Sequence, residues 1–169
     1  MIRVLGLDPG LADTGYGVIE AGEGRIRHLI HGSITTSPTL PTGARLEKIR
    51  RAVVEIIDQF SPSQAGVESL YFAKNITSAI PVAQARGVLL LTLYEYNVPA
   101  FEFAPQQIKS AITGTGRADK RQVQELVRML LGMEEYPKPD HASDALAAAI
   151  CCYHTQGAEE QIRRAKGVQ

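Results

Sequence analysis

The sequence predicts a mixed α/β sheet with helices on both faces, and three observations lead there. Three apolar runs rich in β-branched residues open the chain, separated by short glycine-containing turns. From residue 44 the apolar residues recur at steps of three and four, so the period becomes helical. Strand-like and helix-like stretches then alternate. The resulting order is three strands, a helix, a strand, a helix, a strand and three helices, which joins an antiparallel meander to parallel crossovers.

Each element has its own reason. "IRVLGLDPG" is an apolar strand that stops at the turn residues Asp8-Pro9-Gly10. "TGYGVIEAG" resumes as a second strand, with Gly15 and Gly17 where bulk must be avoided. "RIRHLIHGSITT" is the third. Leu46, Ile49, Val53, Ile56 and Phe60 mark an amphipathic helix over 44–60. After "SPSQ", the strand "AGVESLYF" carries Glu68. Residues 76–96 are helical in composition, "PAFEFAP" is a short strand, and "PQQIKSAIT" and "DKRQVQELVRMLL" are helices flanking "GTGRA". A last helix starts in "KPDHASDALAAAI". Residues 1–155 are expected to form one domain and 156–169 a polar C-terminal tail.

Composition bounds the function. The 169 residues are 44% hydrophobic, enough for one domain with a real core. Eighteen basic residues balance eighteen acidic ones, which counts against a generic basic nucleic-acid binder. Cys151 and Cys152 are adjacent, which disfavours a disulfide between them, so they read as buried thiols in a reducing compartment. No apolar run approaches the ~20 residues of a membrane helix. Met1 leads almost directly into a strand, without a secretory signal. The expected location is the cytoplasm, with no membrane partner.

An apolar helix that opens with two aspartates and a histidine in five positions needs a reason. Asp140 suits an N-cap and the helix dipole, but that gives His141 no role. Asp8 ends the first strand and Glu68 lies toward the end of the fourth; as parallel neighbours their carboxyl ends would emerge together, where open α/β sheets place their sites. His141 and Asp144 share one helical face, and Asp140 and Asp144 share one nearly as well. Taken singly, Asp8 could be a turn former and Glu68 an edge residue. Gathered together, such carboxylates repel unless a cation sits among them, and hard divalent ions prefer oxygen donors. Two ions ~3.5–4 Å apart are the established device for in-line displacement at phosphorus.

At this level of detail a resemblance emerges. "LGLDPGLADTGYGVIE", "GVESLYFAKN", "FAPQQIKSAITGTGRADKRQVQ" and "DHASDALAAAI" resemble, in order, the RuvC family of bacterial Holliday-junction resolvases, from Ile2 to about His154. The resemblance implies a ribonuclease-H-like fold, a homodimer, and Mg²⁺- or Mn²⁺-dependent endonuclease activity on four-way junction DNA. It implies paired symmetric nicks with 5′-phosphate ends, and action alongside the branch-migration proteins RuvA and RuvB. By position, Asp8, Glu68 and Asp144 match three of the four catalytic acids and metal ligands. The fourth position is His141 here, where many members carry aspartate. Imidazole suits Mn²⁺ better than Mg²⁺. The expectation is His141 as ligand or proton-transfer group and Asp140 as cap or outer support, with Asp140 as the alternative fourth ligand.

The resemblance also implies which residues hold DNA. Lys109 and Lys120 match basic residues that face the scissile strand, and Arg117 and Arg121 are phosphate neighbours. Tyr71 matches an aromatic that wedges against unpaired bases, with Phe72 assisting and Lys74 and Asn75 at the backbone. Two consecutive aromatics cannot both enter one core face of a strand. One face of the helix over 76–96 is assigned to the dimer; full burial within one subunit is the alternative. Rival functions are a sugar-kinase-like ATPase module, a related nuclease of ribosomal RNA precursors, and a non-catalytic junction-binding protein.

Overall fold

A computed structural model describes residues 1–69 and 76–166. Strand β1 (Ile2–Asp8) pairs antiparallel with β2 (Asp13–Gly22), which pairs antiparallel with β3 (Arg25–Thr35). Strand β4 (Gln64–Glu68) lies parallel on the other side of β1, with β5 (Ala100–Phe103) parallel beyond it. The sheet order is β3-β2-β1-β4-β5, the expected mixed sheet of five strands.

Alternation along the strands sorts the core into two layers. Leu5, Leu7, Val18, Ala65 and Val67 face helices α1 (Thr42–Phe60) and α2 (Ile76–Glu95). Val4, Ile19 and Phe103 face α3 (Pro105–Thr113), α4 (Lys120–Leu130) and α5 (Asp140–Lys166). The polar residues from Gln156 to Lys166 continue α5 as helix. Among the described residues no helix is long and apolar enough to cross a membrane.

The second layer is built on missing side chains. A Cβ on Gly6 would fall 1.8 Å from the Ala145 carbonyl oxygen, one on Gly15 1.9 Å from that of His141, and one on Gly66 2.4 Å from that of Ala148. A Cβ on Gly17 would meet the Leu146 side chain at 2.6 Å. These glycines of β1, β2 and β4 therefore let the backbone of α5 rest on the sheet. The alanine-rich face of α5 completes the contact: Ala142, Ala145, Ala148 and Ala149 are fully buried.

The site follows from this seat. The parallel register runs from Val4 opposite Gln64 to Leu7 opposite Val67, so the next step sets Asp8 beside Glu68. Both follow Gly6 and Gly66 by two residues and share the α5 face. Asp119 caps α4 by accepting from the Gln122 N–H at 2.9 Å, while the Gln122 side chain accepts from the Asp119 N–H at 3.0 Å. That capping box fixes where Lys120 begins its helix.

Gly6→Ala is expected to destabilise the protein by ~1–3 kcal/mol or more, because backbone rather than a flexible side chain blocks the added methyl. Gly43→Ala, at the start of α1 with nothing within 4 Å, is expected to be neutral or slightly stabilising. Urea unfolding of the two variants checks this; equal losses would contradict the glycine seat.

Candidate active site

The first turn of α5 overhangs the carboxyl ends of β1 and β4. Its N-terminus is set by the Pro139 carbonyl, which accepts from the N–H groups of Ala142 and Ser143 at 2.9 and 3.3 Å. His141 and Asp144 then point toward the sheet end. His141 Nδ1 lies 2.7 Å from Asp8 Oδ2. Asp8, His141 and Asp144 each offer one ligand atom, and these atoms all lie within 4.8 Å of one another.

Glu68 stands next to this group. It lines a cavity of about 260 Å³ together with Asp144, and Lys109 and Lys120 line it as well. Two carboxylates and two ammonium-bearing side chains thus border one small volume. Lys120 Nζ is 3.4 Å from Asp144 Oδ2 and 3.1 Å from Asp140 Oδ2.

The electrostatics record the crowding. Burial, then repulsion from Asp8 and Asp144, pushes the Glu68 carboxyl up to about 8. Asp8 is raised too, chiefly by burial, although the hydrogen bond with His141 pulls the other way. At His141 burial opposes the charge, but the bond to Asp8 and the fields of Asp8, Asp13 and Asp144 outweigh it and raise the imidazole. Lys120 is raised similarly, with its hydrogen bonds to Asp140 and Asp144 outweighing burial. A divalent cation among these groups would relieve the repulsion, and the oxygen and nitrogen donors fit one.

The other expected site residues divide. Asp140 is not a cap: its carboxylate reaches Lys120 and Gln124 of α4 rather than free N–H groups of its own helix. It lies outside the close group of Asp8, His141 and Asp144. Arg117 is exposed in the loop between α3 and α4. Arg121 lies on a separate cavity of about 470 Å³ with Asp119, Glu125 and Tyr136, not on the one that Glu68 and Asp144 line. Glu125 on that cavity is bound by Arg128, which was not expected in the site and also covers the Tyr136 ring at 5.9 Å. Tyr71, Phe72, Lys74 and Asn75 lie outside the described residues. Two contributors were missed from the sequence. Gln124 donates to Asp140, and its spacing of four from Lys120 was the available signal. Asp13, two residues before Gly15 on the same face of β2, adds its field to His141.

Residues 4–152 match the family model of crossover junction endodeoxyribonuclease RuvC. The chain belongs to the RuvC family. Among curated RuvC proteins, that of Treponema denticola is 54% identical over 147 residues, covering 87% of this chain and 83% of the relative. The solved RuvC of Thermus thermophilus is 35% identical with a TM-score of 0.85, over 92% of this chain and 97% of that one. The same protein in complex with a Holliday junction substrate superposes with a TM-score of 0.87, over 93% and 97%. The ribonuclease-H-like resolvase fold expected from the resemblance is therefore present, and the chain is a nuclease of the RuvC class.

Glu68 supplies a test of the site's electrostatics without metal. Its folded value of about 8 exceeds the ordinary 4.5, so the folded state binds this proton more tightly than the unfolded chain. The stability it contributes is complete below the unfolded value and is lost as pH rises through the folded one. In chelator, the wild-type melting temperature is therefore expected to fall relative to Glu68→Gln from about pH 5 to about pH 9. Parallel curves would contradict the buried, repelled carboxyl.

Proposed function

We propose that this RuvC-family chain resolves four-way DNA junctions as a homodimer. Each subunit nicks one of two strands of like polarity at symmetric points and leaves 5′-phosphate and 3′-hydroxyl ends. The observation that carries this reading is the meeting of Asp8, His141 and Asp144 within 4.8 Å, beside a cavity that Asp144 shares with Glu68, Lys109 and Lys120. The solved Thermus relative in complex with a Holliday junction supports it.

The roles follow from the chemistry of each group. Mg²⁺ or Mn²⁺ ions, two to a site, would be held by Asp8, Glu68, His141 and Asp144, and when bound supply Lewis acidity and a more acidic water. The His141 nitrogen makes this set softer than four carboxylates, which suits Mn²⁺. Asp8 orients His141 through Nδ1, so His141 meets the site in one fixed ring orientation. Lys109 and Lys120 face the cavity from α3 and α4 and answer the negative charge of a phosphate placed there. Arg117 and Arg121 serve the flanking backbone, and Tyr71, Phe72, Lys74 and Asn75 the crossover. Residues 1–155 act as one nuclease domain in the cytoplasm, alongside RuvA and RuvB.

Two symmetric cuts call for two matched sites, which a C₂ dimer supplies. Helix α2 buries Ala85, Leu89 and Leu93 against the sheet. On its outer face Ile80, Leu91 and Tyr94 are 54%, 53% and 82% exposed, and exposed Gly87 falls on the same stripe. Complete burial within one subunit is thus not the arrangement. A second copy packed along this stripe accounts for its apolar character.

Four outcomes are expected. The protein should make paired symmetric nicks in a synthetic four-way junction and leave a matched duplex intact. Asp8→Asn should abolish cutting while junction binding persists; binding without cutting by the wild type would mean a non-catalytic protein, and preference for structured RNA would mean the ribosomal-RNA reading. His141→Ala should lose at least ~100-fold in cleavage, the scale of a catalytic acid–base or ligand group, and undiminished cutting would remove His141 from the site. Leu91→Glu should convert the dimer to a monomer in light scattering, and an unchanged mass would place the interface elsewhere.

A further inference from the structure

Lys120 opens α4, and a cation there sits against the positive end of the helix dipole. Two carboxylates offset this, Asp140 at 3.1 Å and Asp144 at 3.4 Å. Asp144 is committed to the close group with Asp8 and His141, and Asp140 is not. The second oxygen of Asp140 accepts from Gln124 Nε2 at 3.2 Å. Gln124 stands one turn beyond Lys120 on the same face of α4, so two side chains of α4 grip one carboxylate of α5.

Asp140 forgoes something for this contact. An acid in the first turn of a helix can satisfy free N–H groups there, yet Asp140 reaches across to the neighbouring helix. A lysine ammonium on a flexible four-carbon stem takes its position from its partners. With Asp144 as its only partner, Lys120 would settle on the carboxylate that the close group requires.

We propose that Asp140, oriented by Gln124, is a positioning residue for Lys120: it holds the ammonium at the rim of the carboxylate group, facing the cavity lined by Glu68, Lys109 and Asp144. This rests on the reading of the site as a phosphodiester-cutting centre. Asp140 itself touches neither substrate nor reacting atoms. Its effect on cleavage passes through Lys120.

A double-mutant cycle tests this. At saturating junction and Mn²⁺, Asp140→Asn should slow single-turnover cleavage by up to ~100-fold, the scale of a catalytic group misplaced by ~1 Å, with junction affinity unchanged. Asp140→Glu should restore most of the rate. In a Lys120→Ala background Asp140→Asn should cost nothing further. A loss that persists without Lys120 would overturn the proposal and make Asp140 a ligand in its own right; no loss at all would also overturn it. A second readout needs no activity. In metal-free protein labelled with ¹⁵N-lysine, the ammonium signal missing from Lys120→Ala should shift in Asp140→Asn and in Gln124→Ala. An unmoved signal would refute the pairing. A wild type that cuts no junction would sink the nuclease reading, while the ammonium signal would still decide the pairing.

Discussion

Helix α5 rests on the sheet backbone to backbone, because Gly6, Gly15 and Gly66 interpose no side chains, and Gly17 leaves room for Leu146. The contact spans three strands, so it fixes the tilt of the helix as well as its height. Its first turn is thereby carried past the ends of β1 and β4. Asp8 and Glu68 stand two residues beyond Gly6 and Gly66 on the same face, which puts them under His141 and Asp144. A larger residue at any of these glycines would lift the helix and separate donors that now lie within 4.8 Å. Packing and chemistry are here one constraint, and the small residues of α5 are its other half.

That closeness has an electrostatic cost: burial and neighbouring carboxylates push Glu68 up to about 8 and raise Asp8 as well. Folding energy from the two hydrophobic layers sustains the cost, since carboxylates placed this way do not attract one another. Partial relief comes from within the chain. His141 bonds to Asp8, and Lys120 spans Asp140 and Asp144. The overall charge of the protein is zero, yet the arrangement is sharply divided, with carboxylates at the strand ends and lysines on α3 and α4 facing them across one cavity. A phosphate diester accompanied by divalent cations complements both halves.

The backbone architecture was legible because its signals are local. Turn residues closed the first strand, apolar period distinguished α1 from its neighbours, and the bounds of α3 were read to the residue. Asp8, Glu68, His141 and Asp144 were legible as a set because strand ends and a helical spacing of three are features of the chain itself. What escaped depends on tertiary contact. Gly15 and Gly17 were read as places without bulk, but nothing local named α5 as the reason. Asp140 looked like a cap because its partners, Lys120 and Gln124, belong to another helix. Whether the polar stretch from Gln156 was ordered stayed open in the sequence, because a polar helix without apolar period leaves little mark there; α5 runs through it to Lys166.

The close seat of α5 brings His141 within 4.8 Å of Asp8 and Asp144 as donors that could hold a metal ion, and the proposed function makes all three its ligands. Pulsed electron paramagnetic resonance of the protein with bound Mn²⁺ tests it most directly, because a directly bound imidazole nitrogen couples to the manganese electron spin. The predicted result is a nitrogen coupling in the wild type that disappears in His141→Gln and survives in Asp140→Asn. A manganese signal with oxygen donors alone, or a nitrogen coupling that persists in His141→Gln, would contradict the account.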